Sequence, residues 1–435
     1  MSKKIRIFFI TFILVLAAGM VFILLYAEKK EEKSAKTVTE ETAVSTASVS
    51  AEEEVPVPVI DLNVSGNEGS VSDDSLLSSD VTVSEDAAGE ETRFRKEDHM
   101  EDPAVSMEMF VEPASDDGSI TIGFAGDVLF DPSYAIYSNF KSRGSSVSAC
   151  FSERLLSRMR GEDVMILNNE FPYSDRGTPA EGKTFTFRAK PSSVETLHEL
   201  GVDAVSLANN HGYDFGVDAF TDSLDVLEGA GIPHLGGGRN AKEAARPLYI
   251  YTKDMKIAVV AATQIERYGN PHSMAATDER PGMLRCFPDI EPTLAAIREA
   301  KENSDYVILF VHWGTENEVA PDWGENEQLP KFIEAGVDCV IGAHPHILQP
   351  VAYSGDVPVV YSLGNFWFNS KTLDTGMVEL KIKPEGLESL KFIPCRQKGC
   401  AVKELEGTEA AELIGYMRGI SPTVDIDDEG YITKK

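Results

Sequence analysis

From Ser119 onward the chain alternates short apolar runs with stretches of helical period, and this alternation sets the fold class. Runs at Ser119–Phe124, Val164–Leu167, Ala204–Leu207, Leu248–Tyr251, Lys256–Ala261, Val307–Val311 and Asp338–Ile341 are too short for helices, and several run straight into Gly, Asn or His. They read as buried strands bounded by turn residues. Between them, apolar residues recur at helical spacing over Ser146–Arg160, Ser192–Leu200, Val217–Glu228, Ile290–Asn303 and Glu325–Glu334, which predicts helices. Strand and helix in turn is the order of βα units around a largely buried sheet. After Pro358 the pattern turns to strands and hairpins at Val359–Ser362, Gly376–Ile382 and Leu387–Pro394, so a mixed or second sheet is expected there. A short amphipathic helix near Thr408–Arg418 packs late on the surface.

The first 117 residues do not share this pattern. Ile7 to Ala27 is apolar apart from Thr11 and Gly19, and about twenty residues at roughly 1.5 Å each span the hydrocarbon core of a bilayer. Lys3, Lys4 and Arg6 precede the run and favour a cytoplasmic N-terminus. A signal peptide has a shorter apolar region and a small-x-small end, which Leu25-Tyr26-Ala27 does not offer. The segment therefore reads as an uncleaved single-pass anchor in the cell membrane, with everything after it extracytoplasmic. From Glu28 to Asp117 there are 25 acidic and 7 basic residues, which accounts for most of the chain's net charge of −31, and the aromatics are Phe94 and Phe110 alone. Such a stretch cannot bury enough apolar surface to offset its ordering entropy and is expected to be a disordered linker. The domains are then 1–27, anchor; 28–117, acidic linker; 118–435, folded domain. The acidic balance argues against nucleic acid, whose backbone it would repel.

Five cysteines fall at irregular spacing with no CxxC pair. Outside the cytoplasm Cys395 and Cys400 could pair across a short loop, whereas Cys339 sits in an apolar run and belongs to the core.

Candidate chemistry sits just after the strands. Asn209-Asn210-His211, His312-Trp313-Gly314 and Gly342-Ala343-His344-Pro345-His346 each follow an apolar run, and ligands of open α/β sheets gather outside the carboxyl ends of strands. Neutral imidazoles two residues apart, with a stiff proline between them, suit a transition metal. Asp127 after the opening strand and Glu170 after Val164–Leu167 add hard oxygen donors, and Gly126 would let the backbone pass close to an ion. Together Asp127, Glu170, Asn210, His312, His344 and His346 offer a mixed oxygen and nitrogen shell for one or two divalent ions, manganese, iron or zinc. Such ions clamp a phosphoryl group and lower the pKa of water. His211, beside a ligand, is placed to protonate a leaving oxygen. Arg188 could bind phosphate or carboxylate with its planar fork, or simply form a surface ion pair.

The ordered series GDVLF, NNE, KTFTFRAKP, LANNHGYDFG, FVHWGTE, AGVDCVIGAHPHILQP and YSLGNF resembles the CapA family of poly-γ-glutamate capsule synthesis proteins, which is in turn similar to the calcineurin-like metallophosphoesterases. The resemblance covers about Ile120 to Phe368. It implies a sandwich of two mixed β-sheets flanked by helices, with metals at strand ends. Asp127 matches the first-motif aspartate, Glu170 the bridging carboxylate, Asn210 the asparagine of the third motif, His312, His344 and His346 the later histidines, and His211 the histidine beside the asparagine. Two departures stand out. Asp127-Val128-Leu129 lacks the histidine of D-x-H, and Glu170 replaces an aspartate, so the first metal position is short of one ligand. Glu316 and Asn365, close in sequence to other motifs, are candidates to compensate or to contact substrate. The resemblance implies a metal-dependent hydrolase of the phosphoesterase type. It would act on an anionic cell-surface polymer or its phosphorylated precursor, beside other capsule synthesis subunits. The alternative is a non-catalytic component that holds or exports the polymer. A peptidase is disfavoured, since neither HExxH nor GxSxG occurs.

Overall fold

The apolar runs pair into two large mixed sheets that face each other. The computed structural model describes residues 107–265 and 274–435; the segment Ile7–Ala27 and the acidic stretch before Met107 lie outside the described residues. Among the described residues no helix is long and apolar enough to cross a membrane. The first sheet has the order β1 (Met107–Phe110), β7 (Leu248–Tyr251), β8 (Lys256–Thr263), β10 (Tyr306–His312), β11 (Cys339–Ala343), β13 (Val357–Val360), β12 (Val351–Ser354). Its centre, β8-β10-β11-β13, is parallel. The second runs β18 (Val424–Ile426), β19 (Tyr431–Lys434), β16 (Gly386–Lys398), β15 (Leu373–Lys383), β2 (Ile120–Val128), β3 (Val164–Asn169), β4 (Ala204–Ser206), β5 (His234–Leu235). Here β2 to β5 are parallel, while β15, β16, β19 and β18 are antiparallel. β14 (Asn365–Trp367) pairs with the end of β2, β17 (Ala401–Glu404) pairs with β16, and β6 (Gly237–Gly238) pairs with β9 (Gly282–Met283).

Period two explains why the central strands read as unbroken apolar runs. On β10, Ile308 and Phe310 share one core with Phe124 and Ile166 of the other sheet, while Val307, Leu309 and Val311 face a second core. Phe124 and Phe310 meet edge to face across the two sheets, ring centroids 5.4 Å apart. Outside the first sheet lie α6 (Glu291–Asn303) and α7 (Trp323–Ala335), which supply Leu294, Ile297, Leu329 and Phe332. Outside the second lie α1 (Ala135–Ser142), α2 (Glu153–Met159), α3 (Glu195–Leu200) and α4 (Gly216–Gly229), packed on Met165, Leu167 and Val205. The short α5 (Ala241–Ala245) leads into β7, and α8 (Gly407–Ile420) buries Leu413, Ile414 and Met417 at the end of the inner core. The arrangement is a mixed α/β sandwich of two sheets flanked by helices.

Three expectations need correction. The described residues open at Met107, within the stretch expected to be linker, and Met107–Phe110 adds a parallel edge strand to Leu248–Tyr251. Four residues with one acidic member are too few to lift the composition of an acidic stretch. The helix expected over Ser146–Arg160 is split into a 3-10 turn, Val147–Ala149, and α2. Phe151 forms a bridge with Val402, and the Ser152 hydroxyl accepts from the Leu155 amide, so a new helix is capped there. Cys395 and Cys400 are both free and buried. Cys395 faces Glu404 in the β16–β17 pairing and Cys400 sits in the turn between those strands, so the hairpin does not set one sulfur opposite the other.

Candidate metal centre

Parallel strands of both sheets end at one edge of the sandwich, and the motif residues sit at those ends. Asp127 is the penultimate residue of β2, Glu170 follows β3, Asn210 and His211 follow β4, His312 closes β10, and His344 and His346 follow β11. Asp127 and Glu170 are fully buried, and Asn210, His211, His312 and His344 are at most 5% exposed. The chain reaches this density through close backbone crossings. A Cβ on Gly126 would lie 1.9 Å from the Gly364 carbonyl oxygen, and one on Gly342 would lie 1.9 Å from that of Tyr361. Gly126 therefore makes room for the segment entering β14 rather than for an ion, and the Asp127 amide donates to the same Gly364 oxygen at 3.0 Å. His344 and His346 have φ of 99° and 60°, left-handed conformations that cost a non-glycine residue about 1–3 kcal/mol each. That strain turns both rings of a Pro-stiffened loop inward.

All six expected ligands converge. The His346 Nδ1 lies 3.0 Å from Asp127 Oδ2, the His312 Nε2 lies 2.8 Å from Asn210 Oδ1, and the His344 Nδ1 lies 3.1 Å from His312 Nε2. Glu170 Oε1 is buried without a hydrogen-bond partner, yet the Nε2 atoms of His211, His312 and His346 surround it at 3.7, 3.8 and 3.9 Å. Two groups have donor atoms all within 4.8 Å of one another, Asp127-Glu170-His312 and Glu170-His344-His346, and Glu170 belongs to both. Burial, then the charges of Asp127 and Glu316, pushes the Glu170 carboxyl well up. Burial and the facing His344 and His346 push His312 well down. Burial also opposes charge on His346, but the hydrogen bond and charge of Asp127 outweigh it and raise that imidazole. Donor atoms crowded in this way, with an orphaned carboxylate oxygen in their midst, fit a site built around positive charge.

Around these six residues runs a hydrogen-bond network. Asn168 donates through Nδ2 to Asp127 Oδ1 at 2.7 Å, and Asn209 donates to the Asn169 carbonyl at 2.9 Å while its Oδ1 accepts from the His211 and Gly212 amides. His211 donates from Nδ1 to Asp214 Oδ2 at 2.6 Å and stacks on Phe187 at 4.1 Å between centroids. Its Nε2 is thereby left to face Glu170. Burial, opposed by Asp214, brings the His211 imidazole down to about 4. Asp214 also accepts from the Phe187 amide at 2.7 Å and from Lys183 Nζ, and Lys183 reaches the Asn210 carbonyl as well.

A cleft of about 800 Å³ opens over the centre. His211, His346, Asn365 and Glu316 line it, as do the aromatic rings of Tyr134, Phe185, Phe187 and Phe368. Arg188 does not line it: its guanidinium lies 4.1 Å over the Phe215 ring and donates to the Arg176 carbonyl at 2.8 Å. The cation of this stretch that does reach the centre is Lys183. Motif reading singles out neither Lys183 nor Asp214, although Asp214 stands three residues after His211 and Lys183 opens the stretch that contains Arg188.

Residues 121–370 match the model of the family described as Bacterial capsule synthesis protein PGA_cap. The capsule biosynthesis protein CapA of Bacillus anthracis is 30% identical over 219 residues, 49% of this chain and 52% of that protein. The PGA biosynthesis protein CapA of Bacillus subtilis is 29% identical over 241 residues, 54% of this chain and 62% of that protein. The chain thus matches between half and two thirds of the length of these relatives. A crystal structure of a hypothetical protein from Thermus thermophilus is similar with a TM-score of 0.39 at 16% identity, covering 64% of this chain and all of that one. With the family model matched over more than half of its residues, the chain belongs to the bacterial capsule synthesis family of CapA proteins.

Proposed function

We propose that this CapA-family chain is a metal-dependent hydrolase of the phosphoesterase type. In this reading the N-terminal apolar segment anchors it to the cell membrane and its folded domain acts outside the cytoplasm. Its substrate is an anionic surface polymer, poly-γ-glutamate or a related one, or a phosphorylated precursor. The observation that carries the reading is Glu170 Oε1, buried, unpartnered and common to two overlapping ligand groups. Asp127, Glu170, Asn210, His312, His344 and His346 would hold the cations, which when bound supply Lewis-acid polarisation and clamp phosphoryl oxygens. Asp214 accepts the Nδ1–H of His211 and leaves a bare Nε2 turned toward the site. This ring, kept neutral by burial, accepts a proton there before it can pass one on to a leaving oxygen. Lys183 ties Asp214 to the Asn210 backbone, so ligand and acid keep one spacing. The rings of Tyr134, Phe185, Phe187 and Phe368 offer apolar surface against which one side of a bound chain would pack.

The test is metal quantification on the purified full-length chain with turnover of a generic phosphodiester, for wild type and His344→Ala. Metal-dependent turnover that the substitution abolishes is the expected result. A metal-free, inactive protein that still binds poly-γ-glutamate would replace this reading with a non-catalytic, polymer-holding component of a capsule synthesis assembly.

A further inference from the structure

The sequence leaves one cation position short of a ligand, with Leu129 standing where a donor would be expected, and the fold offers a substitute from a different strand. We infer that Asn365 Oδ1 is the oxygen ligand that completes the position beside Asp127, an inference that rests on the metal-centre reading above. Asn365 opens β14 and lies directly beside Asp127 in parallel register. It is 4% exposed and lines the cleft. Its Oδ1 is buried and makes no hydrogen bond of ordinary geometry; its side chain interacts with the His346 ring, which is itself bonded to Asp127. A native fold rarely leaves a buried amide oxygen without a donor, and one aimed into a cluster of ligand atoms is explained when a cation is its partner.

Several backbone contacts hold the residue there. Gly364, at φ 71°, gives its carbonyl to the Asp127 amide, and the Leu363 carbonyl before it accepts from the Thr375 hydroxyl at 2.8 Å. The crossing over Gly126 that would tolerate no side chain therefore brings Asn365 level with Asp127. The chemistry agrees with the position. Two buried carboxylates already face the centre, and a neutral amide adds a hard donor without adding a third negative charge, as Asn210 does on the other side. Glu316, the other candidate, is exposed at the rim and acts on Glu170 and His346 through its charge.

Titration of the full-length chain with Mn²⁺ by calorimetry, with bound metal counted after dialysis, tests this on wild type, Asn365→Ala, Asn365→Asp and Glu316→Ala. The wild type is expected to take up two ions. Asn365→Ala should weaken one of them by about tenfold or more, on the scale of lost metal-site contacts, and leave the other in place; Glu316→Ala should keep both. If the alanine variant does not fold, Asn365→Asp decides, because a carboxylate in a ligand position must change the affinity of the adjacent ion by at least about tenfold. Two ions in the wild type with affinities indifferent to residue 365 overturn the assignment of Asn365 and leave the metal centre standing. A wild type that binds no divalent ion overturns both.

Discussion

At the residue scale the centre depends on groups that motif reading does not reach. The grouping of Asp127, Glu170, Asn210, His312, His344 and His346 is legible in the sequence because each stands at or after the end of an apolar run and carries a donor atom. Asp214 and Lys183 are not, since an acid and a lysine in a polar loop look like solvated charges until the fold buries them. Lys183 Nζ is tied to Asp214 and to the Asn210 carbonyl, with 7% of the side chain exposed. Replacing it by methionine strands a buried carboxylate, so Lys183→Met should cost about 3 kcal/mol, read by urea denaturation of the metal-free protein. A half-buried acid, Glu162, gives a pH signature of its own. Burial, then the charge of Glu379, pushes the Glu162 carboxyl up to about 8 against the pull of Arg158. A carboxyl raised in the folded state lends its full stability below its ordinary value near 4.5 and loses it as pH climbs through about 8. Glu162→Gln should therefore melt like the wild type near pH 4.5 and above it near pH 9, by about 1–2 kcal/mol once partial solvent screening is allowed for. Equal melting temperatures across that range would show that Glu162 carries no such penalty.

At the element scale, period decided what could be read. Strands buried on both faces and helices with one apolar face are visible in sequence because neighbouring layers impose their spacing. The helix break at Phe151 was not, because its cause is a backbone bridge to Val402 some 250 residues away. β14 was hidden for a related reason: Asn365–Trp367 is three residues long, and its place beside Asp127 is set by the close crossing at Gly126. That crossing can be tested directly. Gly126→Ala puts a methyl 1.9 Å from the Gly364 carbonyl, a backbone atom with no rotamer to yield. Overpacking of this kind costs about 1–3 kcal/mol. Because the Asp127 amide bonds the same carbonyl, Mn²⁺ affinity should fall along with the melting temperature. Lost stability with unchanged affinity would mean that the crossing shapes the fold but not the ligand geometry.

For the whole molecule, the order of elements predicts βα units with a mixed or second sheet after Pro358 and the family resemblance implies the two-sheet sandwich, whereas neither foretells the strand at Met107–Phe110. Met107–Phe110 pairs with Leu248–Tyr251 although an acidic stretch precedes it. The outermost strand of this sheet thus comes from sequence whose composition alone argues for a linker. Ile7 to Ala27 is long enough to span a bilayer, and three basic residues precede it. A polymer-modifying centre needs such an anchor if it works where the polymer leaves the cell. Deleting residues 1–27 should move the chain from the carbonate-washed membrane pellet to the soluble fraction. The anchored protein should be degraded when protease is added to intact, wall-stripped cells. A truncated chain that stays in the pellet would overturn the anchor, and a full-length chain that resists protease until the cells are lysed would place the centre on the cytoplasmic side. Its substrate would then have to be an intracellular precursor rather than the finished polymer.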